Sequence, residues 1–172
     1  MPIPFQLFEL GKSFSEKIKK YLLEDFSAAT PDEKRRHCAE VRNLAAAAGA
    51  AVTPLPIPFA DIWTITPIQV AMVQAIGNIH GFKLKGKNLK AAFATVAGGW
   101  LGQQTFLALV KLGLPGAGGF AGSAFIYVWT HAIGRTAEKY FLSGMELTKS
   151  DLKKVREHEI KKLRDELKNS KS

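Results

Sequence analysis

Eight residues, Gly81 to Asn88, read GFKLKGKN: two glycines five positions apart with a lysine after the second. A phosphate-binding loop has this spacing and then requires Ser or Thr. Its small residues let backbone N–H groups wrap the phosphates, the lysine meets the β- and γ-oxygens, and the hydroxyl holds Mg²⁺. Asn88 stands where the hydroxyl belongs, and Phe82 and Leu84 crowd the cradle. The preceding segment, Ile68 to His80, carries apolar residues at helical spacing, whereas such a loop follows a buried strand. What remains is a basic connector between two helices. The other titratable residues offer no better centre. His37, His80, His131 and His158 fall on different expected helices, and Glu157-His158-Glu159 has no second histidine at metal-ligand spacing. The expectation is therefore a protein without catalytic residues, metal or cofactor, and not an enzyme. Cys38 is alone, which excludes an intramolecular disulfide and fits a reducing compartment. Asp61 is the one acid between residues 44 and 134. It either caps a short turn by accepting backbone N–H bonds or serves ion or partner recognition from an apolar setting.

The 172 residues suffice for one domain with charged arms. A net charge of +9 suggests an anionic partner. The charge is unevenly spread: residues 1–43 hold eight basic and seven acidic side chains, residues 44–134 five and one, and residues 135–172 eleven and seven. The division expected is an amphipathic helical arm at 1–43, a hydrophobic helical core at 44–144 and a charged helix at 145–172. Basic residues are not interleaved with exposed aromatics, so nucleic acid is not expected as a partner. The N-terminus lacks the basic region of a secretory signal and places Glu9 inside its apolar run, so a cytoplasmic start is expected.

Helical periodicity marks the first arm, with Leu7, Leu10, Phe14, Ile18, Tyr21 and Leu22 on one face. Thr30-Pro31-Asp32-Glu33 is a start signal for a second helix over about 31–52. Alternating prolines over residues 53–59 forbid helix. Thr66-Pro67-Ile68-Gln69 repeats the start signal and predicts a helix to about His80. Residues 62–65 are either a separate short turn or the kinked first part of that helix. A last charged helix starts at Thr148 or Ser150 and runs to about Lys168, with Leu152, Val155, Ile160, Leu163 and Leu167 as its seam.

Ala91 to Val110 are twenty consecutive uncharged residues, and Leu112 to Gly134 add only His131. A twenty-residue helix is about 30 Å long, the thickness of a bilayer's hydrocarbon core. Residues 91–134 thus form a candidate hydrophobic hairpin. Ala94, Gly98 and Gly102 stand four apart, as do Gly118 and Gly122, giving each limb a small-residue stripe for close helix packing. Lys83, Lys85, Lys87 and Lys90 precede the hairpin and Arg135 and Lys139 follow it, so both ends would be cytoplasmic by the positive-inside rule. The four lysines either touch anionic head groups, at about 1 kcal/mol each, or belong to an ordinary solvated loop.

Pro54 to Gly81, PLPIPFADIWTITPIQVAMVQAIGNIHG, followed by a glycine-bearing hairpin, resembles the YcjF-like domain of unknown function, found alone or fused to Era-like GTPases. The resemblance covers roughly Ala45 to Phe141 and is most specific at Pro58, Asp61, Thr66, Gln69, Met72, Ile76 and Gly81. It implies a helical, membrane-embedded module linking a G domain to a membrane. No G domain is present here, so the implied GTPase would be a separate chain. Taken together, the expectation is an all-α helical bundle with a central hydrophobic hairpin and charged terminal helices. It would be a scaffold on the cytoplasmic side of the inner membrane, with anionic lipid, an Era-like GTPase or further copies of itself as partners. The alternative is a soluble, cytoplasmic helical protein that conceals the hairpin and inserts it as pore-forming domains do.

Overall fold

The computed structural model describes residues 5–52, 60–98 and 118–169. Six helices make up these residues: α1 (Phe5–Leu23), α2 (Pro31–Val52), α3 (Ala60–Ile79), α4 (Gly86–Val96), α5 (Gly118–Leu142) and α6 (Lys149–Asn169). The expected all-α bundle is what forms.

Two helix starts follow directly from local chemistry. Glu33 N–H donates to Thr30 Oγ1 at 3.3 Å while Thr30 N–H donates to the Glu33 carboxylate at 2.8 Å. Thr148 and Asp151 repeat the reciprocal arrangement ahead of α6. Each satisfies donors that a helix N-terminus leaves without partners.

α3 differs from expectation at its start. The helix begins at Ala60 and runs through Pro67 without interruption, so residues 62–65 are its first part and Thr66 is no cap. Pro67 lacks the N–H that would bond the carbonyl of residue 63, and its exposed ring needs no room inside the bundle. Two turns of buried contact beyond it, with Gln69, Met72, Val73 and Ile76 buried, outweigh the lost bond.

The expected membrane-length helix from Ala91 to Val110 is also corrected. α4 begins five residues earlier, at Gly86, and ends at Val96, with Ala97 as its C-cap. Paired glycines at 98 and 99 favour that stop. The hairpin tip, residues 99–117, lies outside the described residues, as does Gly102. The second limb starts at Gly118 and passes the expected end at Gly134 to reach Leu142, taking in Arg135, Glu138 and Lys139. Among the described residues no helix is long and apolar enough to cross a membrane.

Pair contacts fix how the helices run. α2 is antiparallel to α5, with Arg42 on Glu138 and Gly49 on Ile126. α3 is parallel to α5, since Gln69 meets Thr130 and Gly77 meets Phe141. Met72, Val73, Ile76, Ile79, Val41, Ala45 and Ile133 form the middle of the core, and Val52, Ile65, Ile126 and Phe125 a smaller cluster at one end. The closest approach is at Gly134, where a Cβ would lie 2.5 Å from Arg42 Cγ and 2.9 Å from Met72 Sδ.

Candidate functional site

The antiparallel and parallel pairings bring the C-terminal ends of α2 and α4 and the N-terminal ends of α3 and α5 to the same side of the bundle. Residues 44–52, 60–79, 91–98 and 118–134 carry a single charge, Asp61. One end of the molecule is therefore almost uncharged along four helices. The segments that connect these ends in sequence, 53–59 and 99–117, hold a single charged residue, Lys111. Two flanking helices carry charge toward this end: α1, antiparallel to α2 as Tyr21 on Glu40 and Lys17 near Leu44 show, brings exposed Lys12, Glu16 and Lys17, and α6 approaches from the other side. The latter is antiparallel to α5, as Glu159 beside His131 shows, and its exposed Lys161, Lys162 and Arg164 lie beyond that point.

The lysine-rich connector sits at the other end, past the C-terminus of α3. At 20 residues, α3 separates the two by about 30 Å. Gly81 has φ +90°, which glycine adopts without strain and which lets the chain turn out of α3. Lys83 donates to Asn78 Oδ1 at 2.6 Å, and Asn78 Nδ2 in turn donates to the carbonyls of Tyr21 and Glu24 at 2.9 Å each. This chain of bonds caps the C-terminus of α1 and gives Lys83 a structural partner. Leu84 is buried against Gly77, closing off the cradle a phosphate would need. Lys85, Lys87 and Lys90 are exposed.

The residues singled out by the family resemblance divide. Gln69 is buried and donates to Thr130 Oγ1 at 2.9 Å, joining α3 to α5; Met72 and Ile76 are core. Thr66 is half-buried. Pro58 lies outside the described residues, and Asp61 is placed on the first turn of α3 by its backbone. The small residues picked out by spacing fare differently from those that touch. Ala94 is exposed, and α4 closes before Gly98, so Ala94 and Gly98 do not share one helix stripe; Gly118 and Gly122 open α5. Among the described residues, tight glycine contacts are found at Gly49, Gly77 and Gly134, which no regular spacing marks.

Two buried polar groups were not legible in the sequence. The first joins α2 to α5: the Glu138 carboxylate, 1% exposed, accepts from Arg42 Nη1 and, at 2.8 Å, from Arg135 Nη1. Cys38 and His80 lie beside it, with Cys38 Sγ 3.5 Å from His80 Nε2. Burial, then the Glu138 charge, pushes the Cys38 thiol up to about 12. Burial holds His80 below the usual histidine value against the opposing pull of Glu138. Such a group is a protonated thiol and a neutral imidazole in a sealed core, unsuited to nucleophilic chemistry.

The second group lies where α4, α5 and α6 meet. Arg156 Nη1 donates to the Val96 carbonyl at 2.8 Å, with its guanidinium 6.0 Å from the centre of the Trp129 ring. It thereby caps α4 at the residue after which the chain enters 97–117. A Cβ on Gly98 would lie 3.6 Å from Arg156 Nη2. One turn along α6, Glu159 Oε1 is 3.4 Å from His131 Nδ1, without hydrogen-bond alignment.

No protein-family model matches the chain, and no solved structure does. Magnetosome membrane protein 22 of Magnetospirillum gryphiswaldense is 29% identical over 108 residues, covering 58% of this chain and 55% of that protein. The chain thus spans about half the length of the curated relative it matches. A protein named for a membrane is similar to this chain, and the described part of this chain has no helix that could span one.

Proposed function

We propose that this protein is a non-enzymatic helical module that associates with a membrane from its cytoplasmic side, end-on, through the uncharged end of the bundle. The carrying observation is the gathering on one side of four helix ends whose single charge is Asp61. Between those ends the sequence runs through Leu101, Phe106, Leu107, Leu109, Val110, Leu112 and Leu114, apolar side chains that gain about 25 cal/mol for each Å² removed from water. The name of the magnetosome relative supports the same reading. Lys161, Lys162 and Arg164, exposed on α6 beyond Glu159, are the cations we assign to anionic head groups, each adding about 1 kcal/mol near such a surface. An Era-like GTPase is proposed as the partner on the strength of the YcjF-like resemblance, with the charged end left free to receive it. Fractionation of the expressed protein tests the reading. A membrane pellet that keeps the protein through a high-salt wash and loses it only to alkaline carbonate or detergent is the expected result; protein that stays in the soluble fraction throughout overturns it.

A further inference from the structure

The elbow between α5 and α6 holds two apolar side chains out in solvent on a fully bonded turn. The amides of Ser143, Gly144 and Met145 donate to the carbonyls of Lys139, Phe141 and Tyr140 at 3.1, 3.0 and 2.8 Å. Those of Glu146 and Leu147 donate to Ser143 Oγ at 3.2 and 3.3 Å, and Ser143 Oγ donates to the Tyr140 carbonyl at 2.8 Å. Every backbone donor from Ser143 to Leu147 is used inside the turn, which fixes its shape. Met145 sits in it at φ +67°, directly after Gly144 at +69°. A side chain in the left-handed region is strained, and glycine would take the position without that strain. The chain nevertheless carries Met145 there, 38% exposed, close in sequence to Leu142 at 55% exposed, and neither belongs to the core clusters. Cations flank the elbow. Lys139 lies three residues before Leu142, on the same face of α5. The lysine connector adjoins it, because the Leu84 side chain and the Phe141 ring flank the same residue, Gly77, and the Phe82 and Phe141 rings are 5.3 Å apart. Lys85, Lys87, Lys90 and Lys139 are exposed, with no carboxylate among the described residues within ion-pair distance. The sequence holds no acid from residue 62 to residue 137, and Glu146 is the acid of the elbow itself.

We propose that Leu142 and Met145 anchor a docking site for an acidic amphipathic helix of a partner protein, with Lys85, Lys87 and Lys139 meeting its carboxylates. For its orientation the inference rests on the end-on membrane reading, which turns this end of the bundle away from lipid. Interfaces concentrate their energy in a small apolar centre within a polar rim, and methionine adapts its shape to the surface it meets. The unpaired lysines supply attraction and register. A helix is the fitting form, because apolar side chains three or four apart share one of its faces and leave acids on either side. A second copy of this chain is a poorer occupant, since two ends with the same excess of cations, on chains of net charge +9, repel. Strain retained at Met145 then has a use: it aims a side chain at a partner.

The probe is a fluorescein-labelled synthetic helix with leucines at i, i+3, i+4 and i+7 and glutamates elsewhere, read by anisotropy on the full chain at physiological salt. The wild type should bind it with a Kd below about 100 μM, and a leucine-free glutamate peptide at least about 10-fold more weakly. Leu142→Ser/Met145→Ser should weaken binding at least about 10-fold, and Lys85→Gln/Lys87→Gln/Lys139→Gln at least about 5-fold. Met145→Gly separates docking from folding: it should not lower the melting temperature, because the turn accepts glycine there, and it should still weaken binding. Equal binding of both peptides overturns the site, as does undiminished binding by Met145→Gly and by Leu142→Ser/Met145→Ser. Tighter binding of a labelled DNA duplex overturns it in favour of nucleic acid. A dimer of the unliganded chain that Leu142→Ser/Met145→Ser abolishes overturns it in favour of a second copy. The same proteins are floated on phosphatidylglycerol/phosphatidylethanolamine vesicles, where the variants should match wild type. Failed peptide binding with intact flotation overturns the docking site alone. Bound peptide with no flotation of any protein overturns the membrane reading alone.

Discussion

Glu138 illustrates how a charge at a helix interface is tolerated. Its carboxylate is shared by Arg42 on α2 and Arg135 one turn earlier on α5, so three charges from two helices meet at one point, with Glu138 Oε1 and Arg42 Nε left without hydrogen-bond partners among the described residues. Glu138→Ala would leave Arg42 buried without a counter-charge, and should cost about 3–5 kcal/mol in denaturant unfolding. Two half-buried histidines set an acid limit. His80 and His131 both have lowered pKa values, chiefly from burial. The unfolded chain, with ordinary histidines near 6.5, binds protons that the folded chain refuses, so stability is complete above about pH 6.5 and falls as pH drops toward the lowered values. Asp25, Glu33, Glu40 and Asp151 are lowered by hydrogen bonds, so their contributions are lost only in the acid range of carboxylates. A melting-temperature series from pH 7.5 to 5 should decline, and His80→Gln/His131→Gln should flatten it. The Arg42–Glu138 pairing could not be read from sequence, because the two stand 96 residues apart and nothing local distinguishes them from solvated charges.

At the scale of helices, legibility followed the range of the interactions. The caps at Thr30 and Thr148 are closed within four residues; the first was foreseen from spacing alone, and Thr148 was one of two starts expected for the last helix. The start of α3 was misplaced because Thr66-Pro67 has the same residue types as a helix start, while the burial that carries the helix through Pro67 comes from α2 and α5. The stop of α4 was missed for a related reason. An uncharged run predicts length, but here paired glycines and an arginine from α6 end the helix. Gly134 was passed over because helix-packing glycines were sought four apart. Gly134→Ala would force its methyl against Arg42 Cγ and Met72 Sδ, and should lower stability by about 1–3 kcal/mol, measured as a fall in the denaturation midpoint with unchanged slope.

At the scale of the whole molecule, helix direction sets the uncharged C-terminal halves of α2 and α4 and the uncharged N-terminal half of α5 on one side, around an α3 whose single charge is Asp61, with the charged α1 and α6 flanking them. That sorting separates the lysine connector from the apolar run it precedes in sequence. At about 30 Å, the connector is several Debye lengths from a membrane under the uncharged end, the Debye length being about 8 Å at physiological salt. Lys85→Glu/Lys87→Glu/Lys90→Glu should therefore keep vesicle flotation within about 2-fold of wild type at physiological salt. Lys161→Glu/Lys162→Glu/Arg164→Glu should lower it by at least about 10-fold. The reverse pattern would place the membrane against the side of α4. Both variants change exposed residues only, so their folds should match by circular dichroism.

The pairing of Arg42 with Glu138 also has a temporal side. A ribosome adding about 5–20 residues per second needs about 5–20 s to travel the 96 positions between them. Through that interval α2 has emerged while most of the surface it will cover is still unmade. The nascent chain thus presents its amphipathic first helix and its alanine-rich second one to whatever lies near the tunnel exit, chaperone or bilayer, before the bundle can close.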